Sequence, residues 1–147
     1  MDGDMKRRGA LALLLAVAWF APAGAQTADD LPPVSVQGGV PYLSGGVGSN
    51  EVAAIKAASS RYSLAVTMSA SEEGHDVFLA SVPVTVSDRG GTTLLDIVSD
   101  GPYLLADLPP GRYIIRARYR DQDKTATVNI VPGQTARVSF AWRAATT

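Results

Sequence analysis

From residue 61 onward the chain alternates apolar and polar side chains, and short turn-forming runs break the alternation at near-regular intervals. A period of two fits a pleated strand with one buried and one wet face; a helix would place its apolar stripe every 3.6 residues. The last third shows this most plainly. Tyr113, Ile115, Ala117 and Tyr119 alternate with Ile114, Arg116, Arg118 and Arg120. Ala126, Val128 and Ile130 alternate with Thr125, Thr127 and Asn129, and Ala136, Val138, Phe140 and Trp142 with Arg137, Ser139, Ala141 and Arg143. Between these two runs, Val131-Pro132-Gly133-Gln134 suits a type II turn. Upstream, Leu64, Val66 and Met68 mark one strand, residues 77–80 another, and Val82, Val84 and Val86 a third, where Pro83 points to a sheet edge or a bulge. Asp88-Arg89-Gly90-Gly91 reads as a hairpin turn, and residues 93–98 and 103–106 complete the set. The pattern predicts an all-β fold, an antiparallel sandwich of seven to eight strands over residues 62–143, with a short tail at 144–147.

The chain opens in another style. Lys6, Arg7 and Arg8 precede an apolar run at 10–20, Pro22 breaks it, and Ala23-Gly24-Ala25 supplies small residues at the spacing a signal peptidase reads. Residues 1–25 are therefore expected to be a cleavable secretory signal, with Met5 an alternative start. The apolar run is well short of the roughly 20 residues a spanning helix needs. The expected destination is the bacterial periplasm, with extracellular release as the alternative. Residues 26–48 carry Pro32-Pro33, Pro41 and glycines at 38, 39, 45, 46 and 48, a composition that reads as an extended arm. Ser49 is a candidate N-cap for a short amphipathic helix at 49–61, which is too short to stand alone and must dock on the sheet.

Leu108-Pro109-Pro110-Gly111-Arg112-Tyr113, with the strands from Val82 to Phe140 around it, resembles the carboxypeptidase regulatory-like domain. The upstream run Pro41-Tyr42-Leu43-Ser44-Gly45-Gly46-Val47-Gly48 is similar to small exported proteobacterial proteins bearing that domain. The resemblance implies a transthyretin-like, carbohydrate-binding-like β-sandwich that is a non-catalytic accessory or binding module. It carries over no catalytic residue. The family's usual T-D-x-x-G-x-F step is met only loosely, by Ser99-Asp100-Gly101-Pro102-Tyr103.

Composition removes much of the enzyme repertoire. With no cysteine there is no disulfide, thiolate zinc site, lipid anchor or cysteine nucleophile, and one histidine leaves at most one imidazole. Beyond residue 25 the chain has ten basic and twelve acidic residues, which does not suit a nucleic-acid binder. His75, within Glu72-Glu73-Gly74-His75-Asp76, reads as part of a solvated turn rather than a metal centre or triad. Asp96, Asp100 and Asp107 read as turn and cap residues rather than a glycosidase pair, and Asp121-Gln122-Asp123 as a turn without the later ligands of a calcium loop. Gly46-Val47-Gly48 lacks the third glycine and preceding strand of a phosphate loop. No catalytic, metal or cofactor-binding residue is assigned.

One surface stands out. Arg116, Arg118 and Arg120 share the outward parity of one strand, Arg137 and Arg143 that of the last, and Thr125 and Thr127 that of the strand between. Neighbouring strands would join them into a cationic, hydroxyl-rich face suited to anions, since the guanidinium fork matches carboxylate and phosphate oxygens. The expected role is a non-enzymatic envelope accessory protein binding through this face, its partner an envelope protein, an anionic glycan or lipopolysaccharide. A carbohydrate-binding module is the alternative, resting on Tyr113, Tyr119, Phe140 and Trp142, whose parity nonetheless places them toward the core. An envelope hydrolase is a further, weaker alternative.

Overall fold

Ten strands and one α-helix make up residues 30–143, the part of the chain described by the computed structural model. The expected export signal at 1–25 and the tail at 144–147 lie outside the described residues. In chain order the elements are β1 (Ser35–Gln37), β2 (Val40–Gly45), α1 (Ser49–Ala58), a 3₁₀ turn (Ser59–Arg61), β3 (Leu64–Glu72), β4 (His75–Phe78), β5 (Pro83–Asp88), β6 (Thr93–Val98), β7 (Tyr103–Ala106), β8 (Gly111–Tyr119), β9 (Gln122–Ile130) and β10 (Ala136–Arg143). The first sheet runs β1-β2-β7-β3-β10, with β4 continuing along β3 beyond the end of β7; the second runs β6-β5-β8-β9. Among the described residues no helix is long and apolar enough to cross a membrane.

The all-β expectation holds, and the eight strands read from the alternation are present. Two further strands come from the stretch read as an extended arm. Val36 and Val40 flank Gly38-Gly39, both at positive φ, and this two-residue loop lets β1 fold back on β2 with Gln37 opposite Val40. β2 then pairs with β7 and buries Val40 and Leu43, so the paired strands begin near residue 35, ahead of residue 62.

Strand direction also departs from expectation. The Val131–Gln134 turn forms, with the Gln134 N–H donating to the Val131 carbonyl at 3.1 Å, but it does not make a hairpin. It carries the chain across to the first sheet, where β10 lies parallel to β3 with Ala136 opposite Leu64. Likewise β5 is no edge strand. It lies between β6 and β8, with Pro83 as its first residue, where a missing N–H is tolerated, and with a register shift at Val86/Ser87.

The core fills the space between the sheets. Leu64, Val66, Met68 and Leu104 from the first meet Val84, Val86, Leu95 and Ile115 from the second, all fully buried. At one lateral seam the Trp142 ring packs against Tyr119 and Phe140, and its Nε1–H donates to the Gln122 carbonyl at 3.0 Å. That bond reaches from β10 to β9, across the gap between the sheets. At the other seam the Gln37 side-chain oxygen accepts the Asp96 N–H from the otherwise unpaired edge of β6.

α1 docks on the outer face of the first sheet, where Ile55 and Ala58 join Leu43, Ala65 and Leu105 in a second, smaller cluster. Its start differs from the reading of Ser49 as a cap. Gly48 occupies the N-cap with no side-chain bond, and Glu51 reaches back to accept the Gly46 N–H at 2.6 Å and the Val47 N–H at 3.3 Å. Those amides precede the helix, so the carboxylate ties down the incoming loop rather than the first turn.

The Leu108–Tyr113 motif acquires a physical explanation. Leu108 is buried and its N–H donates to Ser63 Oγ at 2.7 Å; the Tyr113 hydroxyl bends back to donate to the Pro109 carbonyl at 2.8 Å. Burial, and secondly the negative charge of Asp88, push the Tyr113 phenol above its ordinary value of 10.0. The unfolded chain releases this proton near that value while the folded chain holds it. The phenol's contribution is thus complete below pH 10 and is lost as the pH rises beyond it. Tyr113→Phe should cost about 1 kcal/mol at neutral pH through the lost hydrogen bond. It should also make the decline of stability above pH 10 shallower than in the parent, as read from urea midpoints at increasing pH.

Candidate binding face

The second sheet turns its outer face to water. Across it the antiparallel registers set side chains in rows: Asp96, Thr85, Arg116 and Thr125 in one, Thr93, Ser87, Ile114 and Thr127 in the next. Arg118 stands opposite Asp123 beyond the first row, and Arg112 opposite Asn129 beyond the second. Arg116, Arg118, Thr125 and Thr127 are therefore brought together as the alternation implied.

The remaining expected members are not. Arg137 and Arg143 belong to β10 and so lie on the outer face of the other sheet, opposite Ala65 and Ser71. Arg120 leaves the strand altogether. With Asp121 it forms the tight β8–β9 turn, both at positive φ, and its guanidinium lies 5.1 Å from the Tyr119 ring centre and 3.8 Å from Glu72. A face of five arginines is replaced by a smaller one centred on Arg116.

Charge on this face is mixed. Arg118 Nε meets Asp123 Oδ1 at 2.9 Å, an exposed cross-strand pair that neutralises both groups locally. Arg116 makes no ion pair among the described residues. It forms a ridge between two shallow hollows. One, of about 230 Å³, lies toward Pro83, Arg118 and Asp123; the other, of about 370 Å³, lies toward Ser87, Arg89, Gly91 and Thr93. Thr85 lines both. The larger hollow thus has two arginines and several hydroxyls. Its one acid, Asp88, is engaged by its own turn, Oδ1 accepting the Gly90 and Thr92 N–H groups at 2.9 Å each.

Arg89, Thr85 and Ser87 were not among the expected face residues. Thr85 and Ser87 carry the polar parity of β5, but only the pairing of β5 with β8 shows that they flank Arg116.

Other candidates fall apart spatially. Tyr113, Phe140 and Trp142 are buried and Tyr119 half-buried, so these rings belong to the core and offer no platform on which a sugar can stack. His75 is exposed at the start of β4, opposite Glu72. Asp96 lies within β6, whereas Asp100 and Asp107 occupy the segments before and after β7. Among the described residues no three histidine or carboxylate side chains converge as a metal site would require.

Compared with known proteins, the chain matches no protein-family model and no curated protein.

Proposed function

We propose that this is a non-enzymatic, exported cell-envelope accessory protein that binds an anionic partner through the outer face of its second sheet. On this reading the chain is a transthyretin-like sandwich of the carboxypeptidase regulatory-like kind, and it works in the bacterial periplasm. The observation that carries the proposal is Arg116, a guanidinium without an ion-pair partner among the described residues, which lines two hollows, the larger of them rich in hydroxyls and lined also by Arg89. An exposed arginine in no ion pair with a described carboxylate presents its fork of donors to an incoming phosphate or carboxylate. The hollows are shallow, which suits a group on a large partner better than an engulfed small substrate. A phosphate-bearing glycolipid such as lipopolysaccharide fits this chemistry, as does an acidic patch on an envelope protein.

The test replaces Arg89 and Arg116 together with Ser and measures retention of the protein on immobilised lipopolysaccharide and on envelope extract. Retention should fall about tenfold, a loss worth roughly 1.4 kcal/mol. Stability should stay within about 0.5 kcal/mol of the parent, because both changes are at the surface. Parent binding should also weaken as salt rises, since exposed charges are screened beyond about 8–10 Å. Equal retention of parent and double variant on both matrices would remove the proposal.

A further inference from the structure

The first sheet offers a different surface, independent of the face just described. α1 covers only part of its outer side. Leu105, Ala65 and Arg137 form one outward row across β7, β3 and β10, and Tyr103, Thr67 and Ser139 form the next. Farther along, Phe78 of β4 stands opposite Ser69, which in turn faces Ala141. Successive rows are about 7 Å apart.

These two rows, Ser139 excepted, floor a groove of about 360 Å³, walled on its other side by Ile55, Lys56 and Ser59. Apart from the half-buried Thr67 its base is apolar: Ile55, Ala65 and Leu105 are buried, and the half-buried Tyr103 ring extends the wall toward Phe78, whose ring centre is 6.1 Å away. Phe78 is 59% exposed, so the apolar track continues to the surface. Both charged residues lining the groove are cations. Arg137 is held by two bonds from its guanidinium to Ser59 Oγ, at 3.3 and 3.4 Å, and Lys56 lines the same groove; among the described residues no carboxylate lines it. An apolar slot of this size with a few convergent polar groups has the character of a small-molecule site.

We infer that this groove binds a carboxylate-headed amphiphile of the medium-chain fatty-acid class. The carboxylate takes the free donors of Arg137 and the Lys56 ammonium, and the apolar chain runs over Ala65 and Leu105 past Tyr103 toward Phe78. The occupant follows from charge complementarity: two cations and, among the described residues, no acid at the groove, and an apolar track leading away from them. A neutral sugar would leave the cations unanswered, and a small inorganic anion would leave the track empty.

Titration of the isotope-labelled protein with decanoate, kept below its micelle concentration, tests the inference through backbone amide shifts. Saturable shifts are expected at Lys56, Thr67, Leu105 and Arg137. Acetate, which lacks the chain, should produce none at matched concentration, and neutral decanol should bind at least about tenfold more weakly than decanoate, as expected for a lost charge-assisted contact. Arg137→Ser, at an exposed position, should weaken decanoate by a similar factor, and Thr67→Phe, which fills the floor, should abolish the shifts. Should Thr67→Phe fail to fold, the Arg137→Ser comparison still decides. The absence of saturable shifts, or equal binding by the parent and Arg137→Ser, would overturn the assignment. The Arg89 and Arg116 double variant should bind decanoate like the parent, which separates this site from the proposed anionic face.

Discussion

Trp142→Ala should lower the free energy of unfolding by about 3–5 kcal/mol, the range for deleting a large aromatic from a packed core. In a domain whose whole stability is about 5–15 kcal/mol, that shift brings the variant close to unfolding in warm buffer. Three losses coincide at this position. The ring is 1% exposed and packs against two other rings, with centroid distances of 5.7 Å to Tyr119 and 5.9 Å to Phe140. Its N–H is also the donor to the Gln122 carbonyl, so removal leaves that oxygen short of a partner at the seam between the sheets. Urea unfolding followed by far-ultraviolet circular dichroism measures the effect. Trp142→Phe keeps an aromatic ring in place while losing the hydrogen bond and part of the packed volume, and it should cost less than Trp142→Ala. Equal midpoints for Trp142→Ala and the parent would show that the seam carries no stability.

Gly101→Ala should destabilise by about 1–3 kcal/mol, the usual penalty of overpacking. Its conformation is not the reason, for its φ is not positive. The reason is proximity: a methyl group there would run into the backbone carbonyl of Gly45, and backbone cannot swing aside as a flexible side chain can. The turn before β7 and the end of β2 would have to separate, and the Asp100 N–H donation to Ser44 Oγ at 2.8 Å lies in the same contact. Gly90→Ala is the control. There the nearest neighbour of an added carbon is Asp88 Oδ1 at 3.5 Å, an ordinary contact, so the change should be close to neutral in the same urea series. Similar losses in both variants would mean that close approach is not what makes Gly101 special.

These positions mark where the sequence was legible. Alternation is a local property, and it located eight strands because each needs only its own side chains to say which face is buried. The Leu108–Tyr113 turn was legible for the same reason, its tyrosine bonding a carbonyl four residues back. Pairing is not local. Nothing in Val131–Gln134 states whether the next strand folds back on β9 or crosses to the other sheet, because the same turn serves either path. That choice is made by the fit of Val138, Phe140 and Trp142 against the core, and it decides where Arg137 and Arg143 point. The outward parity of those arginines was right, and the sheet was wrong. The amino-terminal hairpin carries two opposing local signals. Gly38-Gly39 between Val36 and Val40 is a strong two-residue turn, but the surrounding prolines and glycines argued for a linker.

The parallel ladder between β3 and β10 is a pairing of distant segments. Leu64 pairs with Ala136 and Ser71 with Arg143, so β3 waits for its partner until almost all the intervening chain has been supplied. Closing so long a loop costs chain entropy before any ladder bond repays it, and folds dominated by such distant pairings acquire structure slowly, in milliseconds to seconds. The first sheet therefore stays incomplete until the last strand is in place, although the strands of the second sheet pair without it. Until then one side of β3 is an open edge, and another copy of the same unfinished chain is the nearest thing able to fill it.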